Sequence, residues 1–87
     1  MVTRGLANGA DLVLPANYTE YRLLEAILDS GNPTQHFHMS IPIGWLNDNA
    51  SINNIRVQGN EVVTWDRATR TIGGITSDDH WAYVELE

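Results

Sequence analysis

Residues 34–45 read TQHFHMSIPIGW, and within them Phe37, Met39, Ile41 and Ile43 recur at every second position. His36, His38, Ser40 and Pro42 fill the places between. Successive side chains of a strand point to opposite faces, so this spacing predicts a strand with one apolar and one polar side. Pro42 has no N–H to give to a ladder, and it falls on the polar side, so the strand belongs at a sheet edge.

The remaining segments are short and punctuated by turn residues. Ala10 to Leu14 is an apolar run stopped by Pro15, and residues 1–9 read as a lead-in or truncated linker. GWLNDNAS reads as a turn-rich loop anchored by Trp45 and Leu46. INNIRVQ alternates, with Ile55 and Val57 on one face, and Gly59-Asn60 signals a hairpin into EVVTW. DRAT is a second tight turn leading to RTI. Gly73 and Gly74 end that strand, and TSDD is a surface loop. In HWAYVELE, simple alternation places Trp81, Tyr83 and Glu85 on one side and His80, Ala82, Val84 and Leu86 on the other. Trp65 and Trp81 sit inside strand patterns and are expected in the core.

One segment conflicts with its neighbours. In NYTEYRLLEAILDSGNP, Asn17 and Glu20 have the spacing of a capping box, and Gly31 with Pro33 supplies a helix stop. Read as a strand, the same residues place Tyr21, Leu23, Glu25 and Ile27 opposite Arg22, Leu24, Ala26 and Leu28, with a charge interrupting each side. Local propensity favours the helix. Elsewhere, short strands with frequent turns predict an all-β chain, a small antiparallel β-sandwich or barrel, with residues 10–87 as its single domain.

Eighty-seven residues allow one domain, and 43% hydrophobic residues with three Trp and three Tyr provide a modest core. No cysteine is present, which excludes disulfides, thiolate chemistry and Cys-based zinc sites. The formal charge is −6 and all five basic residues are Arg, an unfavourable balance for a phosphate backbone or an anionic membrane surface. No apolar run approaches the roughly 20 residues of a spanning helix, and the start lacks the pattern of a signal peptide.

Few residues carry candidate chemistry. His36 and His38 share a strand face and offer two metal ligands per chain. At a threefold axis, six imidazoles would form an octahedral site for Fe or Ni. Asp48 lies in NDNAS, which lacks the spaced oxygen ligands of a calcium loop, and Asp78-Asp79 project to opposite sides if extended. No G-x-S-x-G, G-x-G-x-x-G, Walker loop or H-E-x-x-H occurs, so no enzyme is expected. Trp45, with Asn47, Asp48 and Asn49 beside it, has the chemistry of a sugar platform: an indole to stack on and amides and carboxylates to bond hydroxyls.

LPANYTEYRLLEAIL, SIPIGWL, IRVQGNEVVTWDRATRTI and HWAYVELE together resemble the small all-β receptor-binding domains of bacteriophage tail fibres and related contractile-tail particles. The resemblance spans most of residues 10–86 and rests on scaffold positions: Leu14-Pro15, Tyr18, Tyr21, Ile41-Pro42, Trp45-Leu46, Trp65 to Ile72 and Trp81 to Val84. It implies that Tyr18 to Leu28 is a strand. It also implies a homotrimer in the virion tail, assembled in the host cytoplasm, that attaches to a bacterial surface polysaccharide. A fibre cap without receptor contact is the alternative. Contacts in this family lie in variable loops, so no binding residue is carried over by motif; the candidates taken from the loops of this chain are Trp45, Asn47, Asp48, Asn49, Asp78 and Asp79.

Overall fold

A computed structural model describes residues 2–31, 34–59 and 61–87. The chain order is β1 (Val2–Arg4), β2 (Leu12–Val13), a 3-10 turn (Tyr18–Glu20), β3 (Leu23–Gly31), β4 (Thr34–Pro42), α1 (Ile43–Asn47), β5 (Ser51–Arg56), β6 (Val62–Asp66), β7 (Thr71–Gly73) and β8 (Asp79–Leu86). Two four-stranded antiparallel sheets result, in the orders β1-β8-β3-β4 and β2-β7-β6-β5. Their apolar faces meet in one core.

The segment of conflicting signals divides in two. The helix signal at Asn17 and Glu20 yields only the single turn Tyr18–Glu20, and Asn17 makes no side-chain cap bond. The strand therefore starts at Leu23, five residues later than the resemblance implies. From there the pairing decides the outcome. β3 is bonded to β4 on one side and β8 on the other, and Leu24, Ala26 and Leu28 are fully buried. A strand satisfied along both edges gains more than the few tenths of a kcal/mol per residue by which helix propensity would favour the alternative. The helix stop at Pro33 lies outside the described residues.

β4 follows its sequence pattern: Met39 and Ile41 are buried, His36, His38, Ser40 and Pro42 are exposed, and the strand is an edge. Ile43 is also buried, but as the first residue of α1 rather than the end of the strand. GWLNDNAS thus begins in a short helix where a loop was expected. The stretch expected as a lead-in contributes Val2–Arg4, which pair with β8.

Two bulges account for where simple alternation fails. Along β8, Ile27 pairs with Tyr83 but Leu28 pairs with Trp81, so an extra residue at Ala82 shifts the faces. Trp81, Val84 and Leu86 consequently all point inward, where alternation separated Trp81 from the other two. Along β5, Ile52 pairs with Trp65 and Ile55 with Val63. The extra residue leaves Asn53 and Asn54 both exposed while the two isoleucines face the core side.

The β6–β7 turn contains Arg70 at φ 56°, a left-handed conformation that usually falls to Gly or Asn. Its side chain explains the choice: Arg70 Nε donates to the Leu14 carbonyl at 3.0 Å, and Leu14 N–H donates to the Arg70 carbonyl at 2.8 Å. These bonds fasten the exit of β2 to the turn.

Trp65 and Trp81 are both buried, as expected, yet their indole N–H groups differ. Trp65 Nε1 donates to the Leu46 carbonyl at 2.8 Å and the Asn49 carbonyl at 3.1 Å. Trp81 Nε1 is buried without an acceptor among the described residues. Replacing each by Phe removes similar volume, but Trp65→Phe also removes two hydrogen bonds and takes the indole donor from the half-buried Asn49 carbonyl, while the Leu46 carbonyl keeps the Asn49 N–H, whereas Trp81→Phe removes an orphan. Urea denaturation is expected to find Trp65→Phe the more costly by about 1–3 kcal/mol. Equal costs would contradict the assigned hydrogen bonds.

Candidate functional site

α1 is five residues long, too short to hold itself, and the fold supplies what the helix lacks. At its start, Ile43 N–H donates to the Arg22 carbonyl at 3.0 Å, tying it to the entry of β3. At its end the orphan carbonyls are taken up in turn. Gly44 O accepts from the Asp48 backbone N–H (3.0 Å), and Trp45 O from Asn49 Nδ2 (2.8 Å). Leu46 O accepts from the Asn49 backbone N–H (3.1 Å) as well as from Trp65 Nε1. Asn47 O accepts from Arg67 Nη1 at 2.9 Å. The Asn47 side chain is also committed, its Oδ1 accepting from Tyr18 O–H at 2.8 Å. Tyr18 in turn packs edge-on against Trp65, with ring centroids 5.7 Å apart.

The outcome is a turn held by the core that presents Trp45, 46% exposed. Asp48 and Arg67 are exposed beside it. Asn47 and Asn49, expected as sugar contacts, instead use their side chains to fix the turn. Sequence reasoning named Trp45, Asn47, Asp48 and Asn49 as candidates. It did not identify Tyr18, Trp65 or Arg67, whose roles depend on chain folding that brings residues 18, 65 and 67 to one short helix.

Asp78 and Asp79 are not part of this surface. Asp79 is 3% exposed at the first position of β8, and Asp78 is exposed just before it. Asp79 pairs with Ser30 near one end of β3, whereas α1 follows Pro42, which pairs with Leu23 at the other. The separation along β3 is roughly 23 Å at the usual rise per residue.

The histidine pair meets carboxylates. His36 Nδ1 lies 2.6 Å from Asp29 Oδ1, and His38 Nε2 lies 3.2 Å from Glu25 Oε2. His80, remote in sequence, reaches the second oxygen of Asp29 at 3.7 Å from the opposite side. The register explains this: His36 and His80 both pair with Asp29, across β4 and β8. Among the described residues no group of three His, Cys, Asp or Glu side chains is arranged to hold a metal ion. Within one chain the two histidines expected as metal ligands are each directed to a different acid. The alternation Glu25, Ile27, Asp29 against His36, His38 was present in the sequence, but the helix signal over the same residues obscured it.

Further along this face, Glu25 and Glu87 share a hydrogen bond. It lowers the Glu25 carboxyl below its ordinary 4.5, helped by the bond to His38, and raises Glu87, whose burial and acidic neighbours Glu25 and Glu85 add to the effect. Tyr83 is raised by desolvation and by its bond to Glu85 at 3.1 Å.

No family model, curated protein or solved structure matches the chain.

The Glu25–Glu87 pair has a defined pH signature. The contribution of Glu87, whose folded value is raised, is full below the ordinary carboxylate value and is lost as pH rises through the raised one. That of Glu25, whose folded value is lowered, is present above the ordinary value and lost as pH falls through the lowered one. The small contribution of the pair is therefore greatest between the lowered value of Glu25 and the raised value of Glu87. Carboxyl carbon NMR is expected to show Glu87 inflecting above Glu25, and Glu87→Gln to flatten the stability profile on the alkaline side of that window. Coincident inflections would contradict the shared proton.

Proposed function

We propose that this chain is a non-catalytic binding module whose ligand is a bacterial surface polysaccharide, engaged through the Trp45 face of α1. The observation that carries the reading is the half-exposed indole on a turn whose end carbonyls accept from Asn49, Trp65 and Arg67. Large apolar rings are ordinarily buried, and one kept outward on a fixed support is pre-organised for contact. An indole face stacks on the apolar side of a sugar ring. The Asp48 carboxylate accepts from hydroxyls, and Arg67, with five guanidinium donors of which Asn47 O takes one, donates to them.

The wider setting is the one implied by the resemblance: a compact β-sandwich displayed as a homotrimer on a phage tail fibre, in the virion tail. The two antiparallel sheets and the acidic, lysine-free composition are compatible with it. Turnover is not part of the proposal, since the site requires only shape, stacking and hydrogen bonds.

A fibre cap without receptor contact is the second reading. It is favoured by one observation, the outward-facing Val2, Val13 and Val62, at 52%, 56% and 40% exposure, which contacts between subunits would cover.

Trp45→Ala separates the two. For the binding module, affinity for host-cell surface polysaccharide falls about tenfold or more, as is typical of an aromatic anchor, while the melting temperature stays close to that of the parent. Unchanged adsorption with an intact fold would remove Trp45 from the ligand site and leave the cap.

A further inference from the structure

β4 is a nine-residue edge strand, and its sequence contains no Asp, Glu, Lys or Arg. Charged residues at an edge are a common device by which proteins prevent strands from pairing with other chains, and this edge lacks them. Its backbone N–H and C=O groups alternate in direction. Those of His38 point away from β3, so the same edge also presents His36 and Ser40 on either side. Pro42 blunts only the last position, where its missing N–H would have faced outward.

Among the described residues, the group bonded to this edge is Gln58, in the connection between β5 and β6. Gln58 Oε1 accepts from His38 N–H at 3.2 Å, and Gln58 N–H donates to the His38 carbonyl at 3.3 Å. One residue thus satisfies both backbone groups of His38, as a neighbouring strand would. Gly59 follows at φ +79°, and a Cβ there would lie 2.9 Å from the Phe37 ring. Only a glycine lets the connection approach β4 this closely. Both Gln58 bonds are at the long end of the hydrogen-bond range, so the clip is a weak one.

We propose that Gln58 is the edge guard of β4, occupying His38 so that β4 does not pair with β4 of a second copy of this chain. The partner excluded is a second β4, which is equally long and free of Asp, Glu, Lys and Arg. An antiparallel two-fold pairing about His38 places His36 of each copy opposite Ser40 of the other, with no Asp, Glu, Lys or Arg in either β4.

The test is amide hydrogen exchange together with light scattering over a concentration series, for the parent, Gln58→Ala, Gln58→Glu and Gln58→Ala with Ser40→Lys. Gln58→Ala keeps the backbone bond to the His38 carbonyl but removes the acceptor for the His38 N–H. Dilute Gln58→Ala is expected to exchange the His38 amide about tenfold faster, and its mass to rise with concentration beyond that of the parent. Gln58→Glu keeps an acceptor and is expected to keep the His38 amide protected, which also shows that the connection still folds. The added lysine on the edge is expected to return the mass to the parent value. Unchanged exchange at His38 in Gln58→Ala, a parent-like mass at every concentration, or association that survives Ser40→Lys would each overturn the proposal.

Discussion

Trp65 holds the architecture together at the point where the two sheets and the helix meet. Its ring is buried in the core, and its N–H is shared by two carbonyls at the end of α1. A buried polar group is costly unless bonded, so the indole is stable here only if α1 ends where it does. The five-residue helix, in turn, persists only because its end is satisfied from outside. Tyr18 extends the arrangement, stacking edge-on to Trp65 while its hydroxyl holds Asn47. β6, the Tyr18 turn and α1 thereby become one unit.

The same logic assigns different characters to the two surfaces of the chain that carry polar chemistry. Around α1, polar side chains are directed inward to backbone carbonyls and the apolar ring of Trp45 faces out. Across the outer face of β8, β3 and β4, polar side chains bond one another: His36 and His80 share Asp29, His38 bonds Glu25, and Glu25 bonds Glu87. Exposed pairs of this kind contribute little to stability and remain accessible to water. The first surface presents an aromatic ring between Asp48 and Arg67; the second carries bonded acids and histidines.

Much of this could be read from the sequence where one face of a strand is buried and the other is not. Phe37 to Ile41 is the clearest case, and the edge position of β4 followed from Pro42. The central strand β3 was harder, because Asn17 and Glu20 mark a helix start that the fold uses for one turn only, and pairing on both sides of Leu24 to Leu28 is invisible locally. The bulges at Ala82 and at Asn53-Asn54 shift faces by one residue, which no periodicity reports. At α1 a loop was expected and a short helix forms; the asparagines expected as sugar contacts help to hold it, Asn49 through the Trp45 carbonyl and Asn47 through the Tyr18 hydroxyl. Asp79 looked like loop chemistry and is instead the buried first residue of β8.

The measurement that bears most directly on the presenting role of α1 is an amide and indole proton–nitrogen NMR map, titrated with host surface polysaccharide. The account predicts shifts concentrated in residues 44–49, the Trp45 indole and Arg67, with the Trp65 and Trp81 indole signals largely unmoved. Shifts centred instead on the histidine face of β3, β4 and β8, or a map that does not change at all, would contradict it.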